Sequence, residues 1–223
     1  MDKKIKIVLA SGSPRRIEMI RKNGIEPLII KADIVENVPL HDGMEDVPMF
    51  LSLKKGLNVY SKVTEGNFKE LDEDGAVIIA ADTIVYFRDD SPHKGDAPGE
   101  IMGKPKSFED GFAMLGKLRG KSHFVVTGIA LIDVKTGLKK VFTEITTVFF
   151  KDYSDEELTA YLHTDEAYDK AGGYAIQGTF AEYVDHIEGS YNNVVGFPWE
   201  RIESELDSFI EEIKGNNQTV VNK

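Results

Sequence analysis

Two arginines and one aspartate are the residues of this chain best placed to do chemistry. Arg15 and Arg16 follow Ser13-Pro14 directly after the apolar run Ile5 to Ala10, in the segment IKIVLASGSPRR. Ser13 is an N-cap residue type, and Pro14 suits the first helical position, where a missing N–H removes no helix bond. The segment therefore predicts a buried strand, a tight turn and a helix N-terminus. Free N–H groups, aligned peptide dipoles and two guanidinium groups then favour negative charge at one point, so a phosphate or polyphosphate is the natural guest. Plain helix capping accounts for Ser-Pro equally well, although two arginines oppose the dipole in a first turn. Asp82 follows the apolar run Ala76 to Ala81 (AVIIAA). If that strand ends at Asp82 and Thr83, the carboxylate lies where open α/β sheets usually place ligands. It can bind a divalent metal, orient and deprotonate a water molecule, or simply close a turn.

Other polar residues are weaker on their own. Lys104, in the turn Gly103-Lys104-Pro105, reaches a phosphate or is merely solvated, and Lys55 and Glu36 carry no distinctive pattern. Gln177 lies in the glycine-dense Gly172 to Gly178, where its amide reads a base edge or pins the turn. The five histidines lack metal-ligand spacing, and no GxSxG, P-loop or GxGxxG pattern occurs. In Asp72 to Gly75 (DEDG) the glycine comes too early for a calcium loop.

The elements that must hold these residues alternate early and cluster as strands later. Helices are expected at Pro14 to Asn23, about Asp46 to Lys62, Ser107 to Leu118, Asp155 to His163 capped by Ser154, and near the C-terminus to about Ile213. In the second of these, Phe50, Leu53, Leu57 and Tyr60 repeat at helical spacing and predict its apolar face. Strands are expected at Pro27 to Ala32, at Ala76 to Ala81 resuming through Ile84 to Phe87, as a hairpin of Phe124 to Val134 with Val141 to Phe150, and at Phe180 to Ile187. Gly66 to Gly75 and Arg88 to Glu100 read as surface loops, and the tail from Gly215 as a frayed end. This order predicts an α/β fold with a mixed sheet, in one domain over residues 1–214 and a polar tail over 215–223.

Composition narrows the partners. The 223 residues are 41% hydrophobic, enough for a substantial core, and 38 acidic against 27 basic residues give a formal charge of −11. That balance argues against binding long nucleic acid or an anionic membrane. A small polyanion remains possible if cations gather locally or a metal ion screens it. The chain has no cysteine, which excludes disulfides, Cys-ligated zinc and a thiol nucleophile. No apolar run approaches membrane-spanning length, and the expected setting is the cytoplasm.

Five segments taken together, SGSPRR (Ser11 to Arg16), AADTIV (Ala80 to Val85), GKP (Gly103 to Pro105), DKAGGYAIQG (Asp169 to Gly178) and GSYNNVVGFP (Gly189 to Pro198), resemble in order the signatures of the Maf family. The resemblance runs from about residue 5 to residue 200. It implies an elongated, twisted mixed sheet flanked by helices, with two lobes around a central cleft, as in inosine triphosphate pyrophosphatase-like proteins. It also implies hydrolysis of a nucleoside triphosphate to a monophosphate and pyrophosphate, with Mg²⁺ or Mn²⁺ as cofactor. By position, Asp82 is the family's general base, and Arg15, Thr83 and Gln177 match residues tied to substrate choice in the dTTP/UTP-type branch. Ser11, Ser13, Arg16, Lys55 and Lys104 match substrate-binding or catalytic positions, with Lys54 an alternative to Lys55. Glu36 joins Asp82 as a metal position. The SPWRR-like and SDQ-like motifs of the branch resembling 7-methyl-GTP pyrophosphatases are absent, which favours pyrimidine substrates. The longer loops at 66–75 and 88–100 look more like eukaryotic relatives. Other readings in this frame are a hydrolase of non-canonical nucleotides such as inosine or xanthosine triphosphate, 7-methyl-GTP or other modified nucleotides, and a non-catalytic nucleotide-binding regulator of cell division. A homodimer is implied by analogy with the family.

Overall fold

The computed structural model describes residues 5–36, 43–66, 68, 71, 75–89 and 99–221, with side chains through residue 215. In chain order the elements are β1 (Lys6–Leu9), α1 (Pro14–Lys22), β2 (Leu28–Ile29), α2 (Asp46–Glu65), β3 (Ala76–Phe87), β4 (Glu100–Met102), α3 (Phe108–Leu118), β5 (Ser122–Asp133), β6 (Lys139–Phe150), α4 (Asp155–Leu162), β7 (Val184–Glu188), α5 (Tyr191–Val195) and α6 (Trp199–Val221). Seven strands form one mixed sheet in the order β2-β1-β3-β5-β6-β7, with β4 on β3. β1 runs parallel to both β2 and β3, whereas β4 on β3 and β7 on β6 are antiparallel. The mixed α/β architecture expected from the sequence is therefore present.

The chain divides into two compact units, Met1–Asp82 with Gly128–Thr143 and Gly196–Lys223, and Thr83–Thr127 with Glu144–Val195. Strands β3, β5 and β6 contribute residues to both.

In the first unit the sheet is buried on both faces, which is why β1 and the first half of β3 read as near-continuous apolar runs. Ile7, Leu9, Val77, Ile79, Ala81, Ile129 and Leu131 face Ile20 of α1 and Ile202, Leu206, Phe209 and Ile213 of α6. The alternate residues Val8, Ala10, Ala76, Ile78, Ala80, Ala130 and Ile132 face Val59 and Val63 of α2. The second unit is built around aromatic rings: Phe150, Tyr153, Tyr161, Tyr174 and Phe180 pack with Leu115, Leu118, Leu158 and Val148.

Several boundaries differ from expectation. β3 does not stop at Asp82; it runs unbroken to Phe87 because Val85, Tyr86 and Phe87 pair with β4. On α2 the predicted apolar face is only half right: Leu53 and Tyr60 are partly buried against the core, but Phe50 and Leu57 are exposed, and the buried stripe is Val47, Leu51, Ser52, Gly56, Val59 and Val63. The buried stripe holds small residues because α2 lies tight on the sheet; a Cβ at Gly56 would stand 2.9 Å from Ile132 Cδ1. β2 is only two residues long, and Thr179–Tyr183 is a 3₁₀ turn rather than strand. α6 continues past Gly215 to Val221. The calcium-loop reading at 72–74 lies outside the described residues, as do 90–98 of the second predicted loop.

Candidate active site

In the first unit, β1 delivers the chain into the predicted turn. Ser11 is buried and its Oγ accepts from the Ser13 N–H at 3.2 Å, closing the turn over Gly12. Ser13 occupies the N-cap position of α1, with Pro14 after it, yet its side chain makes no capping bond. The N–H groups of Arg15 and Arg16 thus keep no side-chain acceptor from Ser13, and an anion can fill that role.

The two arginines divide their work. Arg16 turns inward: its Nε donates to Gly196 O at 2.9 Å and its Nη1 to Ala81 O at 2.6 Å. Burial lowers its pKa, with neighbouring Asp82 acting in the opposite direction. Arg15 is half-buried and has no hydrogen-bond or ion-pair partner among the described residues. Arg16 therefore fastens the start of α1 beside Ala81, while Arg15 remains available to a ligand.

Asp82 points to the α2 side of β3, on the same face as Ala76, Ile78 and Ala80. It is only 7% exposed. Lys55 of α2 donates to Asp82 Oδ1 and also pairs with Glu36 Oε1 at 2.7 Å, so one ammonium joins two carboxylates. Lys54 is directed elsewhere, to Val35 O at 2.8 Å and over the Phe50 ring. Burial raises the pKa of Asp82; Lys55 and Arg16 oppose that rise and Glu36 adds to it. A desolvated carboxylate raised above the ordinary aspartate range suits proton abstraction from water.

The donor set fits a divalent cation shared with a ligand. Glu36 and Asp82 supply hard oxygens, and Mg²⁺ commonly takes one or two carboxylates together with substrate phosphates. Among the described residues, no group of three or more His, Cys, Asp or Glu side chains is arranged to hold a metal alone.

In the second unit, Thr83 Oγ1 lies 3.0 Å from Thr127 Oγ1. Lys104 is exposed without a partner among the described residues, and Gln177 is exposed at the tip of its turn. That turn has its own brace, which the sequence does not advertise. Glu166 Oε2 accepts from Thr179 N at 2.9 Å and from Thr179 Oγ1 at 3.2 Å. At the start of the same segment Gly172 has φ +73 and sits against Val85, where a Cβ would come within 2.8 Å. Thr127 and Glu166 are the site-supporting residues that sequence reading missed, because single threonines and glutamates carry no pattern of their own.

Of the predicted set, the structure brings together Ser11, Ser13, Arg16, Glu36, Lys55 and Asp82 with Arg15 in the first unit. Thr83, Lys104 and Gln177 belong to the second. A mixed α/β sheet with an uncapped helix start after β1 and a buried, lysine-paired carboxylate on β3 is an arrangement able to accept a phosphorylated ligand. Residues 6–209 match the family described as Maf-like protein, and the chain belongs to that family. It is 40% identical over 197 residues to the dTTP/UTP pyrophosphatase of Caldicellulosiruptor bescii, covering 88% of this chain and 91% of that one. It is also 40% identical over 202 residues to the dTTP/UTP pyrophosphatase of Carboxydothermus hydrogenoformans, covering 91% and 97%. The dTTP/UTP pyrophosphatase of Geotalea uraniireducens is 41% identical over 198 residues, covering 89% and 92%. No described helix is long and apolar enough to cross a membrane.

Proposed function

We propose that this chain is a nucleoside triphosphate pyrophosphatase acting on dTTP, UTP or modified pyrimidine triphosphates. The observation that carries the reading is the Arg16 bond to Ala81 O, which sets the open N-terminus of α1 one residue from Asp82. A polyanion at that turn would meet the helix amides, Arg15 and Lys55 while its innermost phosphorus approaches the carboxylate. By their match to the family's signatures alone, Lys104, Thr83 and Gln177 are proposed as substrate-binding residues, the last two for the base.

In the reaction, Asp82 takes a proton from water as the water oxygen bonds to the α-phosphorus. The bond from that phosphorus to the bridging oxygen breaks, and pyrophosphate leaves with the electron pair. Glu36 and Asp82 would hold Mg²⁺ or Mn²⁺, which supplies charge neutralisation to the triphosphate when bound. Lys55 keeps both carboxylates in place and counters their charge. Because phosphoryl transfer asks little covalent work of the protein, positioning and charge dominate its catalysis.

A panel of nucleoside triphosphates assayed for pyrophosphate, with and without added divalent cation, tests this reading. Metal-dependent release of pyrophosphate, fastest from dTTP or UTP, is expected. Release of orthophosphate, or preference for a purine triphosphate, overturns it.

A further inference from the structure

Lys31 lies just beyond β2 and belongs to none of the sequence signatures. Its backbone is pinned on both sides: Ile30 N donates to Leu9 O at 3.1 Å, and Lys31 O accepts from Lys62 Nζ at 2.9 Å. Two residues on, Asp33 N donates to Asn58 Oδ1 at 2.9 Å. The parallel pairing of Leu9 with Ile29 brings the exit of β2 level with the exit of β1, beside the Ser11 to Ser13 turn.

The side chain then takes a definite course. A Cβ built on Gly12 would stand 2.4 Å from Lys31 Cε, 2.9 Å from its Cδ and 3.1 Å from its Cγ. The aliphatic stem thus occupies the room that a side chain at position 12 would need. The ammonium is one covalent bond beyond Cε, which keeps it in the neighbourhood of Gly12. It has no hydrogen-bond or ion-pair partner among the described residues. Lys31 is exposed, so in a chain of formal charge −11 its ammonium can meet an anion that arrives at the open amides of the neighbouring helix start.

We infer that Lys31 is an additional polyphosphate-binding residue of the candidate active site, contacting the phosphates beyond the α-phosphorus, and that glycine at position 12 makes room for it. The inference rests on the proposed triphosphate site and deepens it. A lysine binds phosphate as a mobile point charge, so its contribution belongs to binding rather than to the chemical step. Loss of one charge-assisted contact corresponds to roughly tenfold in affinity.

The test compares Lys31→Met and Lys31→Arg with the unaltered full chain. Steady-state kinetics with UTP are paired with calorimetric binding of inorganic tripolyphosphate and of UMP. Lys31→Met should raise KM for UTP and Kd for tripolyphosphate about tenfold, with kcat within twofold and UMP binding unchanged; Lys31→Arg should restore both. The backbone bonds of residue 31 survive either substitution, so an unchanged thermal midpoint is expected. Unaltered KM and tripolyphosphate affinity in Lys31→Met overturn the assignment, as does equal weakening of UMP. If no triphosphate yields pyrophosphate but Lys31→Met still weakens tripolyphosphate, the activity fails and the anion contact stands.

Discussion

Asp82 is held in tension between burial, which raises its pKa, and the cations Lys55 and Arg16, which lower it. Its ionised form is the base, so kcat/KM should fall along an acid limb as Asp82 is protonated. Removing the Lys55 charge in Lys55→Met should move that limb to higher pH, measured at fixed divalent cation; a shift downward contradicts the assigned role. Asp82→Asn should lower kcat by about 10² to 10⁴ while nucleotide binding persists. The stability effect has its own sign. A carboxylate whose folded pKa is raised stabilises the fold least once it is ionised, so stability is lost as pH rises from the unfolded pKa through the folded one. Denaturant midpoints in metal-free buffer should therefore show Asp82→Asn no less stable than the parent at neutral pH, with any gain vanishing in acid.

Elements decide which of two adjacent arginines is spent on structure. α1 has no side-chain cap, and its attachment runs through Arg16 to Gly196 O and Ala81 O. Arg16→Ala strips two carbonyls of a charged donor and should cost about 2–4 kcal/mol of stability. Arg15→Ala should leave the thermal midpoint in place and raise KM for the triphosphate instead. The sequence marks both arginines alike, because the distinction is made by Gly196, 180 residues away from Arg16. The misplaced face of α2 has a similar origin: periodicity counts large apolar residues, whereas this helix approaches the sheet through Ser52 and Gly56. The same approach puts Lys55, not Lys54, at Asp82. Helices α3 and α4 were legible in full because Ser107 and Ser154 are true caps; Ser107 Oγ accepts from Asp110 N, and Ser154 forms a reciprocal box with Glu157. In the Gln177 turn, Glu166→Ala should free Thr179 and blur the ranking of UTP against other triphosphates without unfolding the chain.

The whole molecule places its stability in two differently built cores, the apolar faces of the first unit and the aromatic cluster of the second. His123 is fully buried in the latter, its Nε2 2.7 Å from Tyr174 Oη and its Nδ1 without a partner among the described residues. Burial pushes its pKa down to about 3. The unfolded chain then binds a proton near pH 6.5 that the folded chain refuses, so stability is full above that pH and falls by up to ~1.4 kcal/mol per unit on descent toward 3. His123→Phe should flatten this acid slope in denaturant titrations, whatever it does to the midpoint at pH 8. The pH response of this histidine is one of folding.

The unbroken course of β3 has an arithmetic consequence. Because side chains on a strand alternate sides, Asp82 meets Lys55 only by virtue of an even count from Ala76. Adding or deleting a single residue between Ala76 and Ala81 would send the acid to the side of α1 and α6 and strand Lys55 with Glu36 alone. Lineages descended from this protein are thus free to lengthen the connections around β3, while the strand itself can change length before the acid only by twos.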